Sequence, residues 1–416
     1  VSIGIRRWWQ GPLDVEGLAI TAVSAAADGA RAVARARGLS VSVDTSSELI
    51  RSAFETVEHA RVDGRSVSPW ADLSGFVACA DGFARLHGNY PHHADAIRRA
   101  LGVETRRELD ARAAGMPAQE LEDTVVAAGG IAARVRTADE WKDHPHGRVT
   151  HDAAWTEVVP DGESRIAPSD IAPLAGVRVV DLTRVLAGPT CTQLLACLGA
   201  DVLRVDPPDR PEILEQHLLT GMGKRSIELD LASRAADARA LVADADVVVL
   251  GYRPGSLDRF GLTPTSLAAD HPGLIVATLS AWGEDGPWGA RAGFDSIVQA
   301  ATGIADRCAD ADGRPGALPV QALDFATGYV LAARVLELLA SGRGGLVRAS
   351  LLGAARALLA SAPPPEADDE VSMGTTMVNV SSPHGTLFLP PPPVLLDRRS
   401  IERDVGGYGA AAPAWR

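Results

Sequence analysis

Between Val177 and Leu339, short apolar runs alternate with longer amphipathic or alanine-rich stretches. Val177–Leu182, Val202–Val205, Ile227–Leu229, Val247–Leu250 and Leu274–Leu279 read as strands. They are short and apolar on successive residues, as strands buried on both faces are. Pro189–Leu198, Ala235–Ala243, Phe294–Thr302 and Phe325–Leu339 read as helices, with Gly199 closing the first as a C-cap. This alternation predicts an α/β fold, a Rossmann-like parallel sheet flanked by helices.

Residues 1–165 have another texture, rich in Ala and Arg. Leu18–Arg35 is a long Ala-rich stretch. Gly75–Leu86 reads as a hairpin turning at Asp81-Gly82. Ala94–Leu101, Arg106–Ala114 and Ala118–Ala128 read as short helices of a smaller α+β domain. Pro145 and the polar stretch Asp161–Asp170 predict a linker, taken as Val158–Ile171. The expected organisation is a helical segment and small domain over 1–165, a sheet domain over 172–361, and an extended proline-rich tail over 362–416 (Pro363–Pro365, Pro390–Pro393). One internal echo crosses these bounds. Leu13-Asp14 opens an Ala-rich helix, a basic turn ending at Gly38 and the run Leu39–Phe54; Leu323-Asp324 opens the same order through Gly345 to Ala360.

The 416 residues exceed one small core, and the net charge of −13 argues against nucleic acid or an anionic membrane as the main partner. A basic pocket for an anionic ligand remains compatible with that charge. No apolar run approaches the ~20 residues that span a bilayer. The segment Val1–Trp9 lacks a signal-peptide core. Four scattered cysteines, Cys79, Cys191, Cys197 and Cys308, read as buried thiols rather than disulfides or a zinc site. A cytoplasmic location is expected. His92-His93 and His144-Pro145-His146 lack an acidic partner at metal spacing, so no metal is expected.

Several segments carry possible chemistry. Val180–Pro189, with Arg184 and Val185, joins a strand end to a helix start, where open α/β sheets bind ligands. It also suits an ordinary turn, and it is not a dinucleotide fingerprint. Lys224 and Arg225 offer two cations for a phosphate or merely a solvated turn. Gly251–Gly261 follows a strand with Tyr252, Arg259 and Phe260, a face for adenine and a charge for phosphate, or rings that pack inward. Asp295 and Asp324 sit among apolar neighbours, as helix caps or as working acids.

Taken together these blocks resemble the family III CoA-transferases (CaiB/BaiF, formyl-CoA transferase-like). Pro173–Asp206, Lys224–Leu231, Arg253–Leu262, Gly293–Gly303 and Ala322–Gly345 are similar to five of its blocks, in order, over about residues 172–360. The Asp81-Gly82 hairpin, Glu120–Trp141 and His144–Arg148 resemble its small domain, here placed before the nucleotide-binding domain. The resemblance implies the CoA-transferase family III fold, Asp324 as nucleophile and Asp295 as an auxiliary acid. It further implies that Arg184, Val185, Leu229, Gly251, Tyr252, Arg259 and Phe260 hold coenzyme A. Two departures stand out. Val62–Gly75 is not the glycine-rich loop expected over the site, and Gly221 replaces an Asn before the Lys-Arg-Ser block.

The implied reaction exchanges CoA between an acyl-CoA and a carboxylic acid through an aspartyl anhydride and an aspartyl-CoA thioester. Acyl-CoA racemase or isomerase chemistry is the alternative, but that branch has a His where this chain has Phe294. A non-catalytic CoA-binding protein is another. The family's interlocked rings imply a homodimer. The alternative is a monomer in which Leu18–Arg35 packs on Phe325–Leu339.

Overall fold

The computed structural model describes residues 7–68, 70–164, 166–364 and 373–416. The signal-peptide reading of the first residues therefore falls mostly outside the described part, as does Pro365 of the tail.

The main sheet has seven strands in the order Arg225–Glu228, Asp201–Asp206, Arg178–Leu182, Val247–Leu250, Ile275–Ser280, Arg343–Ser350 and Thr156–Glu163. All but the last are parallel. Numbered along the chain, the parallel strands run 3-2-1-4-5-6, the order of doubly wound nucleotide-binding sheets. Val247–Leu250 is buried at every residue because neighbours pair on both sides and apolar residues cover both faces. The chain reverses its direction of winding between Arg178–Leu182 and Val247–Leu250. The loops after these two strands diverge there and leave a crevice at the carboxyl edge.

Behind the sheet runs the helix Ala322–Ala340, buried along most of its length. It packs against Ala187–Cys197 on one side and the Ala-rich helix Val15–Ala36 on another. Ala19, Ala22, Ala26 and Ala30 are fully buried, so the two helices approach closely. A Cβ at Gly29 would lie 2.8 Å from the Cβ of Leu336 and 3.2 Å from the Ala333 carbonyl, which only glycine avoids. The internal echo extends to the elements: Val15–Ala36, Val43–Asp44 and Ser47–Phe54 repeat the helix–strand–helix order of Ala322–Ala340, Arg343–Ser350 and Leu351–Ala360. Ser46 and Ser350 cap the second helix of each set, accepting the N–H of Leu49 at 3.3 Å and of Gly353 at 3.0 Å. The aspartates differ, however. Asp14 is an N-cap, whereas Asp324 lies inside the first turn.

The small domain comprises the antiparallel strands Gly75–Cys79, Gly82–Leu86 and Ala132–Arg134 with the helices Pro91–Leu101, Arg106–Ala114 and Ala118–Ala127. Val77, Leu86, Ile97, Leu109 and Leu121 form its own core. The hairpin turns at the expected Asp81-Gly82, with Cys79 opposite Gly82.

Four sequence expectations are corrected. The linker at Val158–Ile171 begins inside a strand: Thr156–Glu163 pairs antiparallel with Arg343–Ser350, and as a solvent-facing edge it needs no apolar pattern. The segment before the small domain belongs to the main core, since Val23, Ala27 and Phe54 cluster with Phe325 and Leu336. The tail is more than an extended wrap: Val378–Ser382 and Gly385–Leu389 form a hairpin that continues onto Arg61–Val62 and Arg65–Ser66. Of the thiols, Cys191 and Cys197 are buried, whereas Cys79 and Cys308 are half-buried; all four are free.

Candidate active site

Asp324 is the third residue of its helix and 6% exposed. Its carboxylate accepts no hydrogen bond among the described residues, while its backbone N–H donates to Asp295 Oδ2 at 3.1 Å. The Leu323 N–H donates to the same oxygen at 2.9 Å. Asp295 thus caps a helix that starts 27 residues after it, satisfying two donors left over at the helix start. Its other oxygen accepts from the Gln299 amide, whose Oε1 accepts the Leu318 N–H at 2.9 Å.

Burial pushes the Asp295 carboxyl up to about 6, against the pull of its hydrogen bonds. Burial, and then the charge of Asp295, raises Asp324 well above the usual aspartate range. Two carboxyls in one buried place cannot both ionise cheaply, so they titrate as a pair.

Asp324 opens into a narrow cavity with an accessible volume of about 30 Å3, lined also by Asp295, Ser296, Val185, His87 and Trp70. The Ser296 hydroxyl is buried without a partner among the described residues. Trp70 belongs to the segment where a glycine-rich loop was expected, so an indole stands there. His87 stacks on Phe294 at 4.0 Å, and burial pushes its imidazole down to about 3. Sequence reasoning missed Trp70, His87 and Ser296. The available signal for His87 was the period-two alternation after Gly82, with Ala84 and Leu86 inward and Arg85 and His87 on the other face.

A larger cavity, about 130 Å3, lies between Trp9, Asp14, Cys308 and Leu318. Asp14 there caps its own helix through the Gly17 N–H at 3.0 Å. The size of this cavity does not make it the better candidate, because none of the loops after the parallel strands that carry Arg184, Leu229 and Tyr252 lines it and its aspartate is committed to the cap.

The positions expected to hold CoA gather at the carboxyl edge. Arg184 and Val185 follow Arg178–Leu182, Leu229 follows Arg225–Glu228, and Gly251, Tyr252, Arg259 and Phe260 follow Val247–Leu250. Val185 has φ 69°, a conformation that costs a β-branched residue about 1–3 kcal/mol. Its N–H donates to Glu212 Oε2 at 2.9 Å. The Arg184 guanidinium lies over the Tyr90 ring at 4.7 Å and donates to the Pro211 carbonyl at 2.6 Å. Arg259 is exposed and covers Phe260 at 4.6 Å; Gly251 abuts Thr183, and Leu229 is buried in the sheet's second core.

Lys224 and Arg225 are structural. Lys224 is buried and bonds Asp181 at 3.0 Å, the Pro189 carbonyl at 2.8 Å and Thr192 at 2.6 Å, tying down the turn that carries Arg184. Arg225 pairs in bidentate fashion with Asp201 at 2.8 and 2.7 Å. Both cations are matched by acids of their own sheet. The histidines behave similarly: His146 Nε2 lies 3.0 Å from the Trp282 carbonyl within an aromatic cluster.

The family model for CoA-transferase family III matches residues 174–381, half of the chain. A probable fatty acyl-CoA transferase of Mycobacterium tuberculosis is 38% identical over 182 residues, 40% of this chain and 46% of the relative. A succinate–glutarate CoA-transferase of Agrobacterium fabrum is 34% identical over 218 residues, 47% of this chain and 54% of the relative. A formyl-CoA:oxalate CoA-transferase of Rhodopseudomonas palustris is 34% identical over 196 residues, 43% and 46% of the two chains. The chain spans about half the length of these curated relatives. A crystal structure of an M. tuberculosis protein, 38% identical, covers 45% of this chain and 56% of its own with a TM-score of 0.42, so the description of the fold rests on the strand order above. With its family model spanning the strands, the crevice and both aspartates, this chain belongs to CoA-transferase family III.

Proposed function

We propose that the chain transfers CoA between an acyl-CoA and a carboxylic acid, with Asp324 as the nucleophile. The observation that carries this reading is the Asp324 carboxylate: buried, without a hydrogen-bond partner among the described residues, and opening into a cavity at the carboxyl edge of a nucleotide-binding sheet. A desolvated carboxylate is a stronger nucleophile once it ionises.

An Asp324 oxygen attacks the thioester carbonyl, the C–S bond breaks, and CoA leaves as the thiolate. The thiolate then attacks the γ-carbonyl of the mixed anhydride, releasing the first acid and leaving an aspartyl-CoA thioester. The acceptor carboxylate attacks that thioester and frees the thiolate, which attacks the acyl carbonyl of the new anhydride and regenerates Asp324. Thioester and anhydride alternate, so no step needs an outside oxidant, metal or energy source. The free Ser296 hydroxyl is placed to donate to an oxyanion in this cavity. Asp295 holds the start of the Asp324 helix.

CoA is read as lying in the crevice formed by the loops of Arg184, Val185, Leu229, Gly251, Tyr252, Arg259 and Phe260. Arg184 is paired with Glu212 at 3.6 Å, but Arg210 and Arg253 are exposed and bear on the electrostatics of His92 and His93, which supports a basic surface there for the nucleotide phosphates. The racemase alternative is weakened by His87. It brings an imidazole to Phe294, but one held at about 3 is too weak a base for an α-proton.

Incubation with a panel of acyl-CoAs and carboxylic acids, read by mass spectrometry, tests the proposal. Exchanged CoA esters support it; CoA esters bound and unchanged mark a binding protein.

A further inference from the structure

Glu212 lies in the loop after Asp201–Asp206, and its side chain is fully buried. Both carboxylate oxygens are taken. Oε2 accepts the Val185 N–H at 2.9 Å and the Arg204 guanidinium at 2.8 Å. Oε1 accepts the Ile213 N–H at 2.9 Å and the Tyr90 hydroxyl. Burial opposes the charge, but Arg204 and Arg184 outweigh it and hold Glu212 below the usual glutamate range. As a carboxylate it accepts from every one of these donors. Its own backbone N–H donates to the Tyr408 hydroxyl at 2.8 Å. Glu212 therefore joins the sheet to the small domain through Tyr90 and to the tail through Tyr408.

Neutralising Arg204 does not explain this arrangement, because Asp206 already pairs with Arg204 in bidentate fashion at 2.7 and 3.0 Å. What Glu212 adds is a hold on Val185 and Tyr90. Val185, at φ 69°, is a β-branched residue in the left-handed region, and such a conformation lasts only where its surroundings over-determine it. The bond from the Val185 N–H to a buried carboxylate supplies that constraint. Val185 lines the Asp324 cavity, and so does Asn89, the residue before Tyr90. The donors on the two oxygens of Glu212 thus lead into two walls of one cavity, the loop of the sheet and the small domain.

We propose that Glu212 is a positioning residue for the transfer: its two oxygens fix the left-handed Val185 turn and the Tyr90 end of the small domain, and so set the walls between which the thioester carbonyl meets Asp324. This rests on the transferase reading of Asp324. A wall that shifts spoils the orientation of the reacting atoms, so its loss falls on rate more than on affinity.

Two variants of the full chain test this. Glu212→Gln turns an amide NH2 toward one pair of donors, and Tyr90→Phe removes one hydroxyl while keeping the ring under Arg184. Both are expected to lower kcat, by about thirtyfold and about fivefold, with the KM for the acid changed less than about threefold. Each is then repeated in a Val185→Gly background. Glycine takes a positive φ without strain, so it has no drive to leave the turn when Glu212 lets go. The fall in kcat should therefore be at least about threefold smaller in that background, whereas a network that only stabilises the fold gives the same factor in both. Hydrogen exchange reads the hold without turnover: the Val185 amide should lose protection in both variants while Ala322–Ala340 keeps its own. Should Glu212→Gln not fold, Tyr90→Phe carries each comparison. Unchanged kcat, equal factors in the two backgrounds, a loss confined to KM, or unchanged exchange at Val185 overturns the assignment. If the wild type exchanges no CoA ester, the transferase reading fails, and exchange at Val185 still decides whether Glu212 holds the turn.

Discussion

Asp295 accepts the backbone N–H of Asp324 at 3.1 Å, so one acid fixes the start of the helix from which the other projects. Of the two roles expected for Asp295, cap or acid, the structure shows a cap, of the Ala322–Ala340 helix rather than its own. Its negative charge suits a helix N-terminus and at the same time opposes ionisation of Asp324.

Replacing Asp324 by Asn or Ala is expected to abolish transfer, at least a thousandfold, with the far-UV spectrum unchanged, because Asn keeps the shape but forms no anhydride. Hydroxylamine added during turnover should leave a hydroxamate at Asp324. A hydroxamate at Asp14 would move the nucleophile to the first half of the internal echo.

Asp324→Asn should also stabilise the chain at neutral pH. Burial raises the folded carboxyl above its unfolded value, so the folded state keeps a proton that the unfolded chain has lost. Wild-type stability therefore falls as pH rises from the unfolded value through the folded one. The mutant should melt higher than wild type above that window and equally below about pH 4. Equal melting at pH 8 would contradict the buried, unpartnered carboxylate.

For Asp295→Asn the expectation is a shift in the pH profile. The like charge of Asp295 adds to burial in raising Asp324. Removing it moves the rising limb of log kcat/KM to lower pH, while an Asn oxygen still accepts from Leu323 and Asp324. A limb that stays in place or moves up counts against the coupling.

Arg259→Ala should weaken CoA binding by about 1–3 kcal/mol, the range for a charge-assisted hydrogen bond and its stranded partner. Arg259 is exposed and rests only on Phe260, so the fold should tolerate its loss. Unchanged CoA affinity in calorimetry removes it from the site.

Assembly turns on the helix pair Val15–Ala36 and Ala322–Ala340, which supplies within one chain the packing that the monomer alternative requires. Light scattering at micromolar concentration is expected to give a homodimer, near twice 43.4 kDa; a mass near 43.4 kDa supports the internal helix pair in place of a partner. Gly29→Leu, which drives a side chain into Leu336, should lower stability by about 1–3 kcal/mol.

The sequence by itself determined the parallel strands, their helices and the Asp81-Gly82 hairpin, because local periodicity and turn chemistry dictate each within a short window. Motif order brought Asp324, Asp295 and the carboxyl-edge loops into view before any coordinates. Tertiary structure decided the rest. Thr156–Glu163 became a strand only because Arg343–Ser350 offered an open edge, and the Val378–Leu389 hairpin found its partners more than three hundred residues away. Lys224 and Arg225, equally cationic on paper, were claimed by Asp181 and Asp201. Asp295 became the cap of a distant helix, and Arg85 came to lie between the Trp70 and Phe76 rings. Pairings of this kind depend on which surfaces meet across long sequence separations, and short-range pattern carries no record of them.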